Sequence, residues 1–348
     1  MPESLQPHPA MSAYETAAWS ELIERVRRRE NRRQIAAVEK AGELAEAANK
    51  RLEVYLDDHE NVRAVADAFT KPFAGLQNLL TRLGASSVSD GRVLRRASRR
   101  DPKIANLTDL RAADLEIPDR LLVRHNLTYG IVMAAEGTAT SLAVTGFVVS
   151  STVTGGTTLA AAAAALATDV TANLAAASRL VAKISMSYGY DPRLPDEQLF
   201  ALGVLNYGTT ATAGGKAASL AELSRLVQTM MRNPTHDGLN KFIMIKVTKE
   251  FLKRLGFRAT HQRLAQLVPF VGIVVNAGTN ATSIAVLGDR AQDAYRLRFL
   301  TEKYKLDPAA WLADHQEIED ADDESIDLEA LIQEVEAELI ETDGQPEG

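Results

Sequence analysis

The sequence predicts an all-α fold: a single helical, bundle-like domain with two central charge-free apolar segments. At 348 residues the chain is long enough to bury a sizeable core. Aromatic residues are only 5% of the chain, while alanine is abundant, and this favours helices packed through small side chains over a β-sandwich. The chain has no cysteine, which excludes disulfides, thiol catalysis and cysteine-ligated metals.

Charge is distributed unevenly and divides the chain into parts. Residues 1–136 hold 21 Lys/Arg and 20 Asp/Glu, residues 137–313 hold 18 and 11, and residues 314–348 hold none and 15. We expect a disordered lead over 1–11, a helical domain over 12–305 and an acidic tail over 306–348, with an amphipathic helix at about 325–340. The first residues lack a basic segment followed by an apolar stretch, so no signal peptide is expected.

Capping residues and helix breakers predict the other helices in order. Ser12 is the expected N-cap of the first long helix, with Glu15 in the capping-box position. Short capped turns are expected at 106–110 and 112–116, and Pro118 is expected in the first position of the next helix. A later helix should stop at the turn Tyr188-Gly-Tyr-Asp-Pro192. The remaining expected helices are a pair over 195–232 parted at Gly214-Gly215, a basic amphipathic helix over 239–255, and a closing helix over 291–304.

Two long segments carry no charge: residues 137–168 and residues 264–288. Both are long enough to span a bilayer, but both are rich in small or polar side chains. Small residues four apart allow helices to approach closely, in a membrane or in a protein core. We therefore expect close packing or membrane insertion through Gly137, Gly155, Gly156, Gly272, Asn276, Ala277, Asn280, Ala281 and Ala285. Burial inside a soluble bundle and insertion as helical hairpins both remain open.

Two basic groups of residues are candidates for contact with phosphate groups. One lies in the dense arginine run after Gly91, and the other lies on the basic helix just before the second apolar segment. They consist of Arg92, Arg95, Arg96, Arg99 and Arg100, and of Lys246, Lys249, Lys253 and Arg254. Because aromatic residues are not interleaved with them, nucleic acid is an unexpected partner. We expect contact with anionic lipid or with the chain's own acidic tail.

The sequence gives only weak candidates for catalysis. Glu136 and Asp169 bracket the first apolar segment, and Tyr188 and Asp191 follow it. The six histidines are scattered singly, so no zinc-protease spacing occurs, and neither a nucleophile elbow nor a phosphate-binding loop is present. We therefore expect no metal and no cofactor, and we interpret the four residues as helix ends and a capped turn.

The order of these features resembles a known family. Glu136-Gly137 leads into the apolar run, Asp169 precedes Tyr188-Gly-Tyr-Asp, and Leu267-Val-Pro-Phe-Val-Gly leads to Asn276. Arg296-Leu-Arg-Phe-Leu then closes the series. This series, over roughly residues 15–305, is similar to the EcsC family of bacterial proteins. The resemblance implies an all-helical protein named after a neighbour of an ABC transporter operon, with no established reaction, although a peptidase label sometimes accompanies the family.

These observations favour a non-enzymatic role. The leading hypothesis is a cytoplasmic protein that associates peripherally with the inner membrane, or with a membrane protein such as a transporter, through apolar helices and basic patches. The acidic tail would compete with lipid for the basic body. One alternative is a hydrolase with a non-standard site near Glu136, Asp169 and Tyr188. Another is a soluble oligomeric scaffold.

Overall fold

The computed structural model describes these parts of the chain: residues 6–29, 89–122, 176–210, 213–232, 246–247, 250–251, 254, 279–306, 330–335 and 337. They form helices joined by turns and contain no strand. The predicted all-α fold is therefore confirmed. The division into lead, domain and tail stays a prediction.

Eight helices carry the labels used below. They are α1 Ala13–Arg29, α2 Asp90–Ser98, α3 Leu107–Ala112, α4 Glu116–Leu122, α5 over residues 176–187, α6 Pro195–Thr209, α7 Ala213–Arg232 and α8 Thr279–Tyr304. Residues 246–247, 250–251 and 254 are also helical, as are residues 330–335 and 337.

Local capping begins the helices where the sequence predicted it. The Ser12 hydroxyl accepts from the Glu15 backbone N–H, and the Glu15 carboxylate accepts from the Ser12 N–H, both at 3.1 Å. Asn106 and Asp109 form a second capping box at the start of α3. Each box satisfies backbone donors that a helix leaves free in its first turn.

Three predicted boundaries were wrong. Pro118 is the third residue of α4, because Asp114 accepts from the Glu116 backbone N–H at 2.8 Å and begins the helix earlier. The break after α6 falls at Thr210, and Gly214-Gly215 lie inside the first turn of α7. The closing helix begins at Thr279 and continues without a break through Gly288.

The turn after α5 is built as predicted and depends on its glycine. Gly189 has φ +85°, a left-handed conformation that glycine adopts without steric cost. A Cβ there would lie 2.7 Å from the Leu107 carbonyl oxygen. The turn therefore presses directly against the start of α3.

The helix α8 is central to the core. It packs against α6, α7, α1 and α3. Its Tyr295, Phe299 and Leu300 are almost fully buried, together with Trp19 of α1 and Phe200 of α6. Gly208 allows α6 to approach α8, since a Cβ there would lie 1.9 Å from Leu287 Cδ1.

The two charge-free segments are only partly described. Residues 137–168 and 264–278 lie outside the described residues, whereas residues 279–288 form the first turns of α8. Among the helices that the structure describes, none is both long enough and apolar enough to cross a bilayer.

Candidate functional site

Tyr188 lies at a buried polar centre around Asp119. Tyr188 is 0% exposed, and its hydroxyl donates to Asp119 Oδ1 at 2.5 Å. Tyr14 of α1 donates to Asp119 Oδ2 at 2.8 Å, and the Arg296 guanidinium of α8 lies 2.8 Å from the same oxygen. Gln292 donates at 3.4 Å. A carboxylate has about four acceptor positions, and these donors use them.

This centre suits a structural role better than a chemical one. Burial, followed by the charge of Asp119, raises the pKa of Tyr188 well above its ordinary value and raises the pKa of Tyr14 to about 12. Both phenols are therefore protonated donors at neutral pH. Tyr188 presents no accessible surface. The hydrogen bonds and the ion pair of Asp119 connect α1, α4 and α8 to the end of α5.

A second buried network surrounds Arg298, which is 2% exposed. Its guanidinium donates to both oxygens of Glu197, at 2.6 and 2.7 Å, and to Glu302 at 2.7 Å. It also lies 4.0 Å from the ring centroid of Tyr190 and 4.5 Å from that of Phe200. A paired and stacked guanidinium is the form in which a buried cation is tolerated.

A third network joins the start of α1 to the end of α8. Lys303 of α8 donates to Glu15 Oε1 and to the Ala113 carbonyl, each at 2.7 Å. Glu15 also accepts from the Leu115 backbone N–H at 3.2 Å and from the Tyr304 hydroxyl. Burial raises the pKa of Glu15, but the hydrogen bonds from Lys303, Tyr304 and Ser12 outweigh burial and lower it.

Of the other catalytic candidates, only Asp191 is described, and its side chain pairs with an arginine. Asp191 forms a bidentate pair with Arg193, which also reaches Asp90 at the start of α2. The hydrogen bond from Arg193 lowers the pKa of Asp191. Glu136 and Asp169 lie outside the described residues.

A cavity of ≈ 10 Å³ lies between α6, α7 and α8, bounded by Phe200, Ser224 and Thr301 among others. That volume is close to the minimum for a single water. Within the described residues, no cluster of three His, Asp or Glu side chains is placed to hold a metal ion.

Five arginines of α2 and of the turn directly after it lie at the surface. We call the set Arg92, Arg95, Arg96, Arg99 and Arg100 the arginine face, and all five are exposed. The opposite side of α2 is apolar: Ala97 is fully buried, and Val93 and Leu94 pack beside it against Leu110 and Leu121. In the part of the chain described, no carboxylate lies within 4.0 Å of the Arg92, Arg95 or Arg99 guanidinium.

The second basic group is only partly described. Arg254 is half-buried and pairs with Glu334 of the tail at 2.7 Å, with Glu250 at 3.5 Å. Lys246 is half-buried, and Lys249 and Lys253 lie outside the described residues.

Most of the expected close-packing positions also fall outside the described residues. These positions are Gly137, Gly155, Gly156, Gly272, Asn276 and Ala277. Asn280, Ala281 and Ala285 lie on α8, with side chains outside the described set. Close packing through a small residue does occur at Gly208.

Comparison with known proteins identifies the family of this chain. The model of the EcsC protein family matches residues 92–300, more than half of the chain. The chain belongs to the EcsC family. The EcsC match begins in α2 and ends in α8, so it includes both partners of the Asp119–Arg296 and Glu197–Arg298 pairs. Helix α1 and the acidic tail lie outside it.

A curated relative is described as the uncharacterized protein YdbA of Bacillus subtilis (strain 168). It is 29% identical over 156 residues, which are 44% of this chain and 54% of that protein. The chain thus spans about half the length of this relative. No solved structure matches the chain.

Sequence reasoning missed the residues that organise these networks. Asp119, Glu197, Arg298 and Lys303 were not candidates, because a single charge in a helix gives no sign of its distant partner. The only signal was positional: Arg298 follows Arg296 by two residues, so the two side chains leave α8 in different directions.

Proposed function

We propose that this EcsC protein is a non-enzymatic binding protein that associates with an anionic membrane surface through the arginine face of α2. The observation that carries the proposal is the exposure of all five arginines, three on α2 and two directly after it, while the other side of α2 is buried. Arginine suits phosphate groups because its planar fork donates two parallel hydrogen bonds.

The fold holds this surface in place. Ala97, Val93 and Leu94 fix the apolar side of α2, and Arg193 holds Asp90 at its first turn at 3.1 Å. Arg92 is three residues from Arg95 and four from Arg96, so these three side chains share one side of α2. Neighbouring like charges repel each other, and an anionic surface relieves that repulsion.

An acidic site on a membrane protein, such as a transporter, would satisfy the same arginines. We favour lipid because the arginine face presents several exposed guanidinium groups along a short stretch of chain. A flat array of headgroups matches these groups better than a shaped protein partner does.

A vesicle flotation experiment tests the proposal. Purified full-length protein is mixed with phosphatidylcholine vesicles with and without phosphatidylglycerol, at low and high salt. The variant Arg95→Gln/Arg99→Gln is compared with Arg225→Gln/Lys305→Gln, which removes two charges from exposed positions elsewhere. Each arginine at an anionic surface contributes about 1 kcal/mol. The variant that loses two of them should therefore partition onto the vesicles about 30-fold more weakly.

The results separate three cases. Flotation that requires phosphatidylglycerol, weakens with salt and is lost only in the α2 variant supports the proposal. Equal losses in the two variants would contradict a role for α2. Binding to bacterial membrane vesicles but not to protein-free vesicles would overturn the lipid assignment in favour of a membrane-protein partner.

A further inference from the structure

A short segment of the acidic tail is packed onto the body. Residues 330–335 and 337 are helical. Leu331 is 0% exposed and Val335 is 4% exposed, and both belong to the main core cluster that includes α1, α6 and α8. Because these two residues are four apart, they lie on one side of the segment.

The basic helix contributes a matching surface to the same cluster. Val247 and Phe251 are 0% exposed and are also four residues apart. Arg254 follows on the same side, and its NH2 group lies 2.7 Å from Glu334 Oε2. Glu334 directly precedes Val335, so the ion pair lies next to a tail residue of this cluster.

The ion pair contributes more to the selectivity of this contact than to its strength. The Arg254 and Glu334 side chains are 40% and 61% exposed, and an ion pair with such exposure contributes little to affinity. Its charge nevertheless selects a basic helix as the partner of an acidic segment. Residues 314–348 hold 15 acidic and no basic residues, so an anionic surface would repel the docked segment.

We propose that tail residues 330–337 occupy the Val247–Phe251–Arg254 side of the basic helix and compete there with an anionic membrane. The inference rests on the proposed function, since the membrane is the competitor. When the tail is docked, it covers this side of the basic helix, whereas the arginine face of α2 stays exposed. An anionic membrane that approaches the basic helix would repel the acidic tail and displace it.

The test uses full-length variants that release the tail. Leu331→Asp/Val335→Asp places two charges where the structure buries apolar side chains, which disfavours docking. Gln333→Asp/Ala337→Asp adds the same charge at exposed positions of the same segment and is the matched control. Glu334→Arg, which places a cation beside Arg254, is a second release variant without a buried charge.

Docking of the tail is measured without lipid. The chain has no cysteine, so Ala330→Cys and Arg225→Cys can be spin-labelled specifically. The distance distribution between the labels should broaden and lengthen in the release variants and stay as in the parent in the control. An unchanged distribution in both release variants would overturn the docked tail.

Flotation with phosphatidylglycerol vesicles then tests competition. When the tail no longer pairs with Arg254, the ratio of membrane-bound to free protein should rise about fivefold, which is the increment for one added surface cation. The control variant should bind no better than the parent. Anion-dependent flotation that is equal in parent and release variants would overturn the inference and leave the role of α2 intact. Absence of anion-dependent flotation in every variant would overturn the proposed function and the competition with it.

Discussion

Glu15 shows how one residue serves both local and distant structure. Its capping box with Ser12 could be predicted, because the two residues are three apart and the geometry of a helix start fixes their distance. Its ion pair with Lys303 could not, since 288 residues separate the partners and local rules do not position distant helices. The same contrast holds for Asp119 and Arg296.

This dual role predicts an acid-sensitive stability. Glu15→Gln should lower the free energy of unfolding by about 2 kcal/mol at neutral pH, because the Lys303 ammonium loses its charged acceptor. The pKa of Glu15 lies below its ordinary value of 4.5 in the folded protein. The contribution of the carboxylate is therefore complete above about pH 4.5 and is lost as pH falls through the lower folded pKa.

Chemical denaturation at several pH values measures the effect. The difference between wild type and Glu15→Gln should be constant from neutral pH to about pH 5 and should shrink below the ordinary pKa of glutamate. Glu21→Gln removes an exposed carboxylate from the same helix and should change stability by less than about 1 kcal/mol. A difference that grows on acidification would refute this account.

Helices were easier to predict than their ends. The existence of α3, α6, α7 and α8 could be predicted from periodicity and caps. The end of α6 could not, because the Arg290 side chain of α8 donates to the carbonyls of Gly208 and Thr210, at 2.9 and 3.1 Å. A cap supplied by a distant helix leaves no trace in the local sequence.

The turn between α5 and α6 allows a sharp test at this scale. Gly189→Ala should destabilise the protein by more than about 2 kcal/mol, since the left-handed backbone disfavours a Cβ and the added atom would lie 2.7 Å from the Leu107 oxygen. Gly91→Ala is the matched control: its Cβ would meet nothing closer than 3.8 Å in a helix that favours alanine by about 0.5–1 kcal/mol.

Thermal unfolding of the two glycine variants is the measurement. The Gly189 variant should melt several degrees below wild type, and the Gly91 variant should melt at or slightly above it. Equal midpoints would mean that the turn can rearrange and that the contact of Gly189 with α3 does not constrain the fold.

At the scale of the whole molecule, one buried cluster joins elements from both ends of the chain. Ala18 and Trp19 of α1 belong to the same cluster as Tyr295 of α8 and Val335 of the tail. Composition could predict a single helical body. Composition could not reveal the role of α8, which begins in a charge-free segment and ends in a charged one. This helix provides Arg296, Arg298 and Lys303 to three separate networks.

Such a shared core predicts cooperative unfolding of the helical body. In a Trp311→Phe background, the fluorescence of Trp19, which is 0% exposed, reports on α1 alone. Because α1 is held by α8 through Glu15 and Lys303 and through the cluster, its fluorescence transition in urea should coincide with the loss of helical circular dichroism. Release of the tail by Leu331→Asp/Val335→Asp should shift both midpoints together. Separate midpoints would mean that α1 detaches before the rest of the body and that its contacts with α8 are weaker than the cluster indicates.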